Sequence, residues 1–208
     1  MKVYFLMIVV FLAGCGGGNP ESNTLPEKPA EVPEKPIVYL DDIYIVSGQS
    51  NATVCDWSYF EELTGHEVVN IAIGGRTIDM LIDEYKTHNL ADIKPKGIMF
   101  VHGENDSIKK TDVDYYVERV EFYREMISKD LSVDLPLYIS TVGYYVESYD
   151  EDFDRLRNKV ISQSKINKMW HIAYNDAQYY RYWGLLYDGI HFDTQGCNLM
   201  MEGIASYI

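Results

Sequence analysis

Three residues of this 208-residue chain have the chemistry for acyl transfer: Ser50, Asp188 and His191. A serine hydroxyl is a weak nucleophile until an imidazole accepts its proton. The imidazole in turn needs a carboxylate to fix its tautomer and to stabilise its charged form. Ser50 stands in Gly48-Gln49-Ser50-Asn51, directly after the apolar run Ile43-Tyr44-Ile45-Val46, and Asp188 precedes His191 by three residues in Asp188-Gly189-Ile190-His191. A developing oxyanion also requires donors fixed in advance. Gly48 and Gly75 leave backbone amides open to approach, and Asn105, in Gly103-Glu104-Asn105-Asp106, can offer a side-chain amide. Each of these stretches is also ordinary turn chemistry. What separates the two readings is where the stretches fall among the elements.

Strands are expected at 42–47, 67–73, 97–102, 137–142 and 169–174, and helices at 53–63, 77–87, 112–129, 151–167 and 195–207. Regular alternation of strand and helix predicts an α/β domain with a five-stranded parallel sheet covered on both faces. The near-continuous apolar run Gly97-Ile98-Met99-Phe100-Val101 suits a strand buried on both sides. Ligands bind such sheets beyond the carboxyl ends of the strands. The Ser50, Gly75 and Asn105 stretches each follow a predicted strand, and the Asp188–His191 stretch precedes the last helix. Agreement in position is stronger than any single motif.

The rest of the chain sets the surroundings. Residues 1–14 carry one basic residue, Lys2, and an apolar run to Ala13, too short for a permanent span, so they read as a signal peptide. Leu12-Ala13-Gly14-Cys15 is similar to a bacterial lipobox, which makes Cys15 the expected lipidation site and the anchor the chain's contact with a membrane. Residues 15–36 hold five of the seven prolines and two Pro-Glu-Lys-Pro units, the composition of an extended tether. Residues 37–208 are the size of one domain. The expected location is the bacterial cell envelope, lipid-anchored and facing the periplasm or the exterior. With 18 basic against 32 acidic residues and a net charge of −14, nucleic acid is not an expected partner. Neither Cys55 nor Cys197 has metal-ligand spacing, so no metal and no cofactor are expected, and the two are either a disulfide or two buried thiols. Nothing in the sequence assigns an oligomeric state.

Taken together, the four stretches resemble the blocks of the SGNH hydrolase superfamily, over essentially all of 42–208. Gly48-Gln49-Ser50-Asn51 with Gly103-Glu104-Asn105-Asp106-Ser107 is similar to the sialate O-acetylesterase-like carbohydrate esterases. The resemblance implies a flavodoxin-like three-layer α/β/α sandwich. It implies Ser50 as nucleophile, His191 as base and Asp188 as its orienting carboxylate, with the oxyanion held by the Ser50 and Gly75 N–H groups and the Asn105 side chain. The implied activity is hydrolysis of O-acyl, chiefly O-acetyl, esters on a carbohydrate. The alternatives are a lipase or thioesterase of the same superfamily, and a catalytically idle glycan-binding module. His102 stands where that branch usually has Gln, and Ala52 where it often has Met. Ala52 also breaks the Gly-x-Ser-x-Gly elbow of the α/β-hydrolases.

Further residues complete the expectation. Tyr182, Trp183 and Tyr187 run into the histidine's loop and could form an aromatic platform for a sugar ring, or could simply pack that loop. Arg76 is expected to pair on the surface, and His102 to lie near the oxyanion site or to be a satisfied strand-end residue. In a flavodoxin-like sheet the first and last helices share a face, which makes a Cys55–Cys197 bridge possible. Burial as two separate thiols is the competing expectation.

Overall fold

The computed structural model describes residues 42–208, apart from 86, 87, 89, 91, 92 and 149. The chain divides between Ile37 and Val38, and all described residues belong to the second unit. The signal peptide, Cys15 and the tether lie outside the described residues.

Five strands form one parallel sheet: β1 (Ile43–Gly48), β2 (Glu67–Asn70), β3 (Pro95–Val101), β4 (Leu137–Ser140) and β5 (Trp170–Tyr174), in the spatial order β2-β1-β3-β4-β5. This is the flavodoxin-like order, and its topological switch lies between β1 and β3. The reason for the near-continuous apolar strands is visible in β1, whose alternate side chains enter two different cores. Tyr44 and Val46 face the layer made by α1 (Ser50–Val54), α2 (Ser58–Thr64) and α8 (Thr194–Tyr207), where they meet Ala52, Phe60, Met200 and Ile204. Ile45 faces the opposite layer of α3 (Ile78–Tyr85), α5 (Val113–Asp130) and α6 (Asp150–Ser164), among Leu81, Val120, Tyr123 and Phe153. The three-layer sandwich expected from the sequence is the observed fold.

The differences from the expected elements cluster at the carboxyl edge of the sheet. The helix expected over 53–63 is two, α1 and α2, broken at Cys55 and Asp56, and α1 starts at Ser50 itself. A one-turn helix, α4 (Glu104–Ile108), occupies what reads as a plain turn after β3. Another short helix, α7 (Tyr180–Trp183), follows a 3₁₀ turn at Asp176–Tyr179. These segments are too short for an apolar period to show. Tertiary contacts rather than propensity hold them.

The Cys55–Cys197 disulfide is formed, with Cα atoms 5.4 Å apart. It joins the residue that ends α1 to the first turn of α8, so it ties the serine's helix to the helix that follows the histidine.

Candidate active site

Strand β1 ends on Gly48, which has φ +137°. A Cβ there would stand 1.9 Å from the Val101 carbonyl oxygen, so only glycine fits this crossing of two strand ends. The next amide, Gln49 N–H, donates to that same oxygen at 3.0 Å. Ser50 follows as the first residue of α1 and is part-exposed at the carboxyl edge.

Its two neighbours are buried polar side chains, and both are tied to one carboxylate. Gln49 Nε2 donates to Glu104 Oε2 at 2.6 Å, and Asn51 Nδ2 donates to Glu104 Oε1 at 2.7 Å. Glu104 comes from α4, beyond β3, the strand beside β1. Burial pushes its carboxyl above the usual carboxylate range, while the Asn51 amide and the nearby His191 pull the other way. Both carboxylate oxygens are occupied by amide donors, which is how a buried acid without an ion-pair partner is accommodated.

Asn51 also reaches the histidine's loop. Its Nδ2 donates to the Ile190 carbonyl at 3.3 Å, and its Oδ1 accepts the Phe192 N–H at 2.9 Å. The residues on either side of His191 are therefore both held by the residue next to Ser50. Within that loop, Asp188 Oδ1 accepts the N–H groups of Ile190 (3.2 Å) and His191 (2.9 Å), and Asp188 Oδ2 accepts from His191 Nδ1 at 2.7 Å. A carboxylate can only accept, so the proton sits on Nδ1 and Nε2 carries the free lone pair. Burial works against the charge of Asp188, but the His191 ring and the two N–H groups outweigh it and hold its carboxyl below the usual range. Among the described residues no hydrogen bond joins Ser50 Oγ to the His191 ring. Such contacts are commonly long before substrate binds.

The candidate oxyanion donors other than Ser50 lie in the stretches after β2 and β3. A Cβ on Gly74 would lie 3.9 Å from both Cα and Cβ of Ser50, so this loop abuts the serine. Gly75 follows with φ +74°, a left-handed conformation that favours glycine. Asn105 N–H points to Gln49 Oε1 at 3.4 Å, and its side-chain amide makes no hydrogen bond among the described residues. An unengaged amide on a half-buried residue is what an oxyanion donor requires before substrate arrives.

The fold has counterparts among solved structures. A G-D-S-L family lipolytic protein from Desulfitobacterium hafniense superposes with a TM-score of 0.65 at 16% identity, covering 81% of this chain and 100% of that one. A GDSL-like lipase from Bacteroides thetaiotaomicron gives 0.62 at 15%, covering 80% and 87%. Axe2, an acetylxylan esterase from Geobacillus stearothermophilus, gives 0.53 at 17%, covering 82% and 94%. The fold is that of the SGNH hydrolases. No family model matches the sequence, and no curated protein does.

Within the SGNH fold, the sequence reading brought Ser50, Gly75, Asn105, Asp188 and His191 to one edge of the sheet. Tyr187 also belongs there: its ring stacks on His191 with centroids 5.6 Å apart, and its N–H donates to the His191 carbonyl at 3.0 Å. Tyr182 and Trp183 lie on α7 and make other contacts, Tyr182 with Arg181 and Trp183 with Tyr179 and Tyr180. Arg76 pairs with Glu84 through Nε at 2.7 Å. His102 is fully buried and bonds Tyr116 through Nδ1 at 3.0 Å. Burial lowers its pKa to about 3, so it stays neutral in the core. Gln49, Asn51, Glu104 and Val146 were not foreseen. Val146, in the loop after β4, donates its N–H to the Gly189 carbonyl at 3.1 Å and stands exposed at the rim. Amide residues on both sides of a strand-end serine, with an acid just past the neighbouring strand, are the signal that could have revealed the buried three.

Proposed function

We propose that this chain is a serine esterase that hydrolyses O-acyl, most simply O-acetyl, esters on carbohydrate. The observation that carries the reading is the Asn51 clamp. By bonding residues 190 and 192, it holds His191, already oriented by Asp188, against the segment that bears Ser50. In the first step Ser50 Oγ bonds to the ester carbonyl carbon while His191 Nε2 takes the hydroxyl proton. The carbonyl π pair moves onto oxygen, where the N–H groups of Ser50 and Gly75 and the Asn105 amide donate to it. Collapse breaks the bond to the sugar oxygen, which leaves with the proton from His191, and the acyl group stays on Ser50. Water, deprotonated by His191, then attacks the acyl-serine and releases the carboxylic acid.

The carbohydrate side of the proposal draws on the Gly-Gln-Ser-Asn and Gly-Glu-Asn-Asp blocks, on the exposed Tyr187 ring beside His191, and on the acetylxylan esterase among the proteins of like fold. Anchoring through a lipidated Cys15 belongs to the same proposal, and would display the domain to an envelope or external glycan. The test is acetate release by the 37–208 domain from 4-nitrophenyl acetate and from acetylated xylo-oligosaccharides. Ser50→Ala should lower turnover by a factor of ~10⁴ or more. An inert wild-type domain, or a Ser50→Ala variant at full speed, would overturn the assignment.

A further inference from the structure

Beside the candidate triad runs an open groove of about 370 Å³, lined by Val54, Asp56, Tyr187, Asp193 and Asn198, with Cys197 of the disulfide also in its lining. It starts next to the reacting groups. Val54 is one helical turn beyond Ser50 on α1, which places their Cα atoms about 6 Å apart, and Tyr187 is the residue stacked on His191. The mechanism above uses neither Asp56, Asp193 nor Asn198.

The chemistry of the lining is mixed in a specific way. One face of the Tyr187 ring rests on His191, and the residue is 62% exposed, so the other face is free. Asp56 spends Oδ1 on the N–H and Oγ of Ser58, and Asp193 spends Oδ1 on the Gly196 N–H. Among the described residues, Oδ2 of each carboxylate and the Asn198 side chain have no hydrogen-bond partner. A ring face with acceptors and an amide set around it matches a ring of hydroxyl donors with an apolar face. An alkyl chain here would strip water from two carboxylates and return nothing to them. A sugar acid would bring a third negative charge close to both.

We propose that this groove is a subsite for an uncharged sugar ring adjoining the esterified one, so that the substrate is an O-acetylated oligosaccharide or polysaccharide of neutral sugars. The inference rests on the esterase reading for the identity of the neighbouring site. The experiment is calorimetric titration of the Ser50→Ala domain, which holds ester without cleaving it. The titrants are acetylated xylose and its di- and trisaccharides, and trisaccharides carrying a uronic acid. Affinity should rise at least tenfold from mono- to trisaccharide, and the uronic acid should weaken it at least tenfold. Tyr187→Ala and Asn198→Ala, each added to Ser50→Ala and checked by melting curve, should each remove most of the gain from chain length. Affinity that does not change with chain length, or that survives both substitutions, would overturn the subsite. Chain-length-dependent binding with no acetate release by the wild-type domain would leave the subsite standing and refute the esterase reading instead.

Discussion

The two halves of the candidate site are built on opposite terms. On the serine's side, Gln49, Asn51 and Glu104 are 1%, 0% and 2% exposed, and each polar group that positions Ser50 is enclosed in protein. On the histidine's side, the side chains of Asp188 and His191 are 41% and 24% exposed, and the loop is shaped by a local turn around Asp188 Oδ1. The first half gains its precision from burial, where a hydrogen bond is strong and its loss is costly. The second is a short-range structure tied to the serine's side by Asn51, with Val146 holding Gly189 from the loop after β4. Damage to the buried half should therefore cost fold and rate together, whereas damage to the exposed half should cost rate alone.

Among changes that leave Ser50 and His191 in place, Asp188→Asn gives the largest expected effect and keeps to the exposed half. The amide can still sit beside Nδ1, but it no longer enforces the tautomer or stabilises the imidazolium. Turnover on 4-nitrophenyl acetate should fall by a factor of ~10²–10⁴, with the melting curve moved little because Asp188 is exposed and the amide is isosteric with the carboxylate. A fast Asp188→Asn enzyme would assign the orienting role to a different carboxylate.

Glu104→Ala tests the other half. It leaves the Gln49 and Asn51 amides buried with donors unpaired, at about 1–3 kcal/mol each. Denaturant unfolding should show a loss of about 2–5 kcal/mol, and turnover should fall with it because Asn51 then holds the histidine's loop less firmly. A variant as stable as wild type would remove the contrast between the halves.

The Cys55–Cys197 bond spans both halves, so it sharpens the comparison differently. Closing a loop of 142 residues restricts the unfolded chain, and replacing both cysteines by alanine should cost about 2–5 kcal/mol. Turnover well below the melting temperature should change less than tenfold, since the Asn51 clamp remains. Large loss of rate in a still-folded variant would show that the disulfide, and not Asn51, aligns the two loops.

The smallest effect concerns Asp106, buried beneath the serine's side, where it accepts the Ile78 N–H at 3.0 Å and the Thr111 hydroxyl at 2.9 Å. Burial raises its pKa to about 6 in spite of those bonds. The folded state thus holds this proton more tightly than the unfolded chain. That contribution is full below the unfolded pKa of ~3.9 and is lost as pH rises through about 6. Asp106→Asn cannot titrate, so its stability should gain on wild type by up to about 3 kcal/mol between pH 4 and pH 7. A constant gap between the two proteins across that range would contradict the shift.

How much of this was legible in the sequence follows the same division. The five strands and the long helices announce themselves through apolar runs and periodicity. The Asp188–His191 turn is local, so its three-residue spacing is enough to reveal it. The disulfide could be anticipated once the first and last helices were placed on one face. The Gln49–Glu104–Asn51 network could not be read off in that way, because Glu104 lies more than fifty residues from both partners and each residue alone looks like turn chemistry. The short helices α1, α4 and α7 escaped for a related reason: one turn held by tertiary contacts carries no period. Of the aromatic residues before the histidine, composition could not separate Tyr187, which stacks on His191, from Tyr182 and Trp183, which do not.

The central claim is that Ser50, at the edge of the buried network, is activated by a histidine carried on the exposed loop. A fluorophosphonate reacts with an activated serine in proportion to that activation, and peptide mass spectrometry locates the adduct. Wild-type domain should carry the adduct on Ser50, and His191→Ala, with an unchanged melting curve, should carry almost none in the same time. An adduct on a different residue, or equal labelling of Ser50 in the two proteins, would contradict the account.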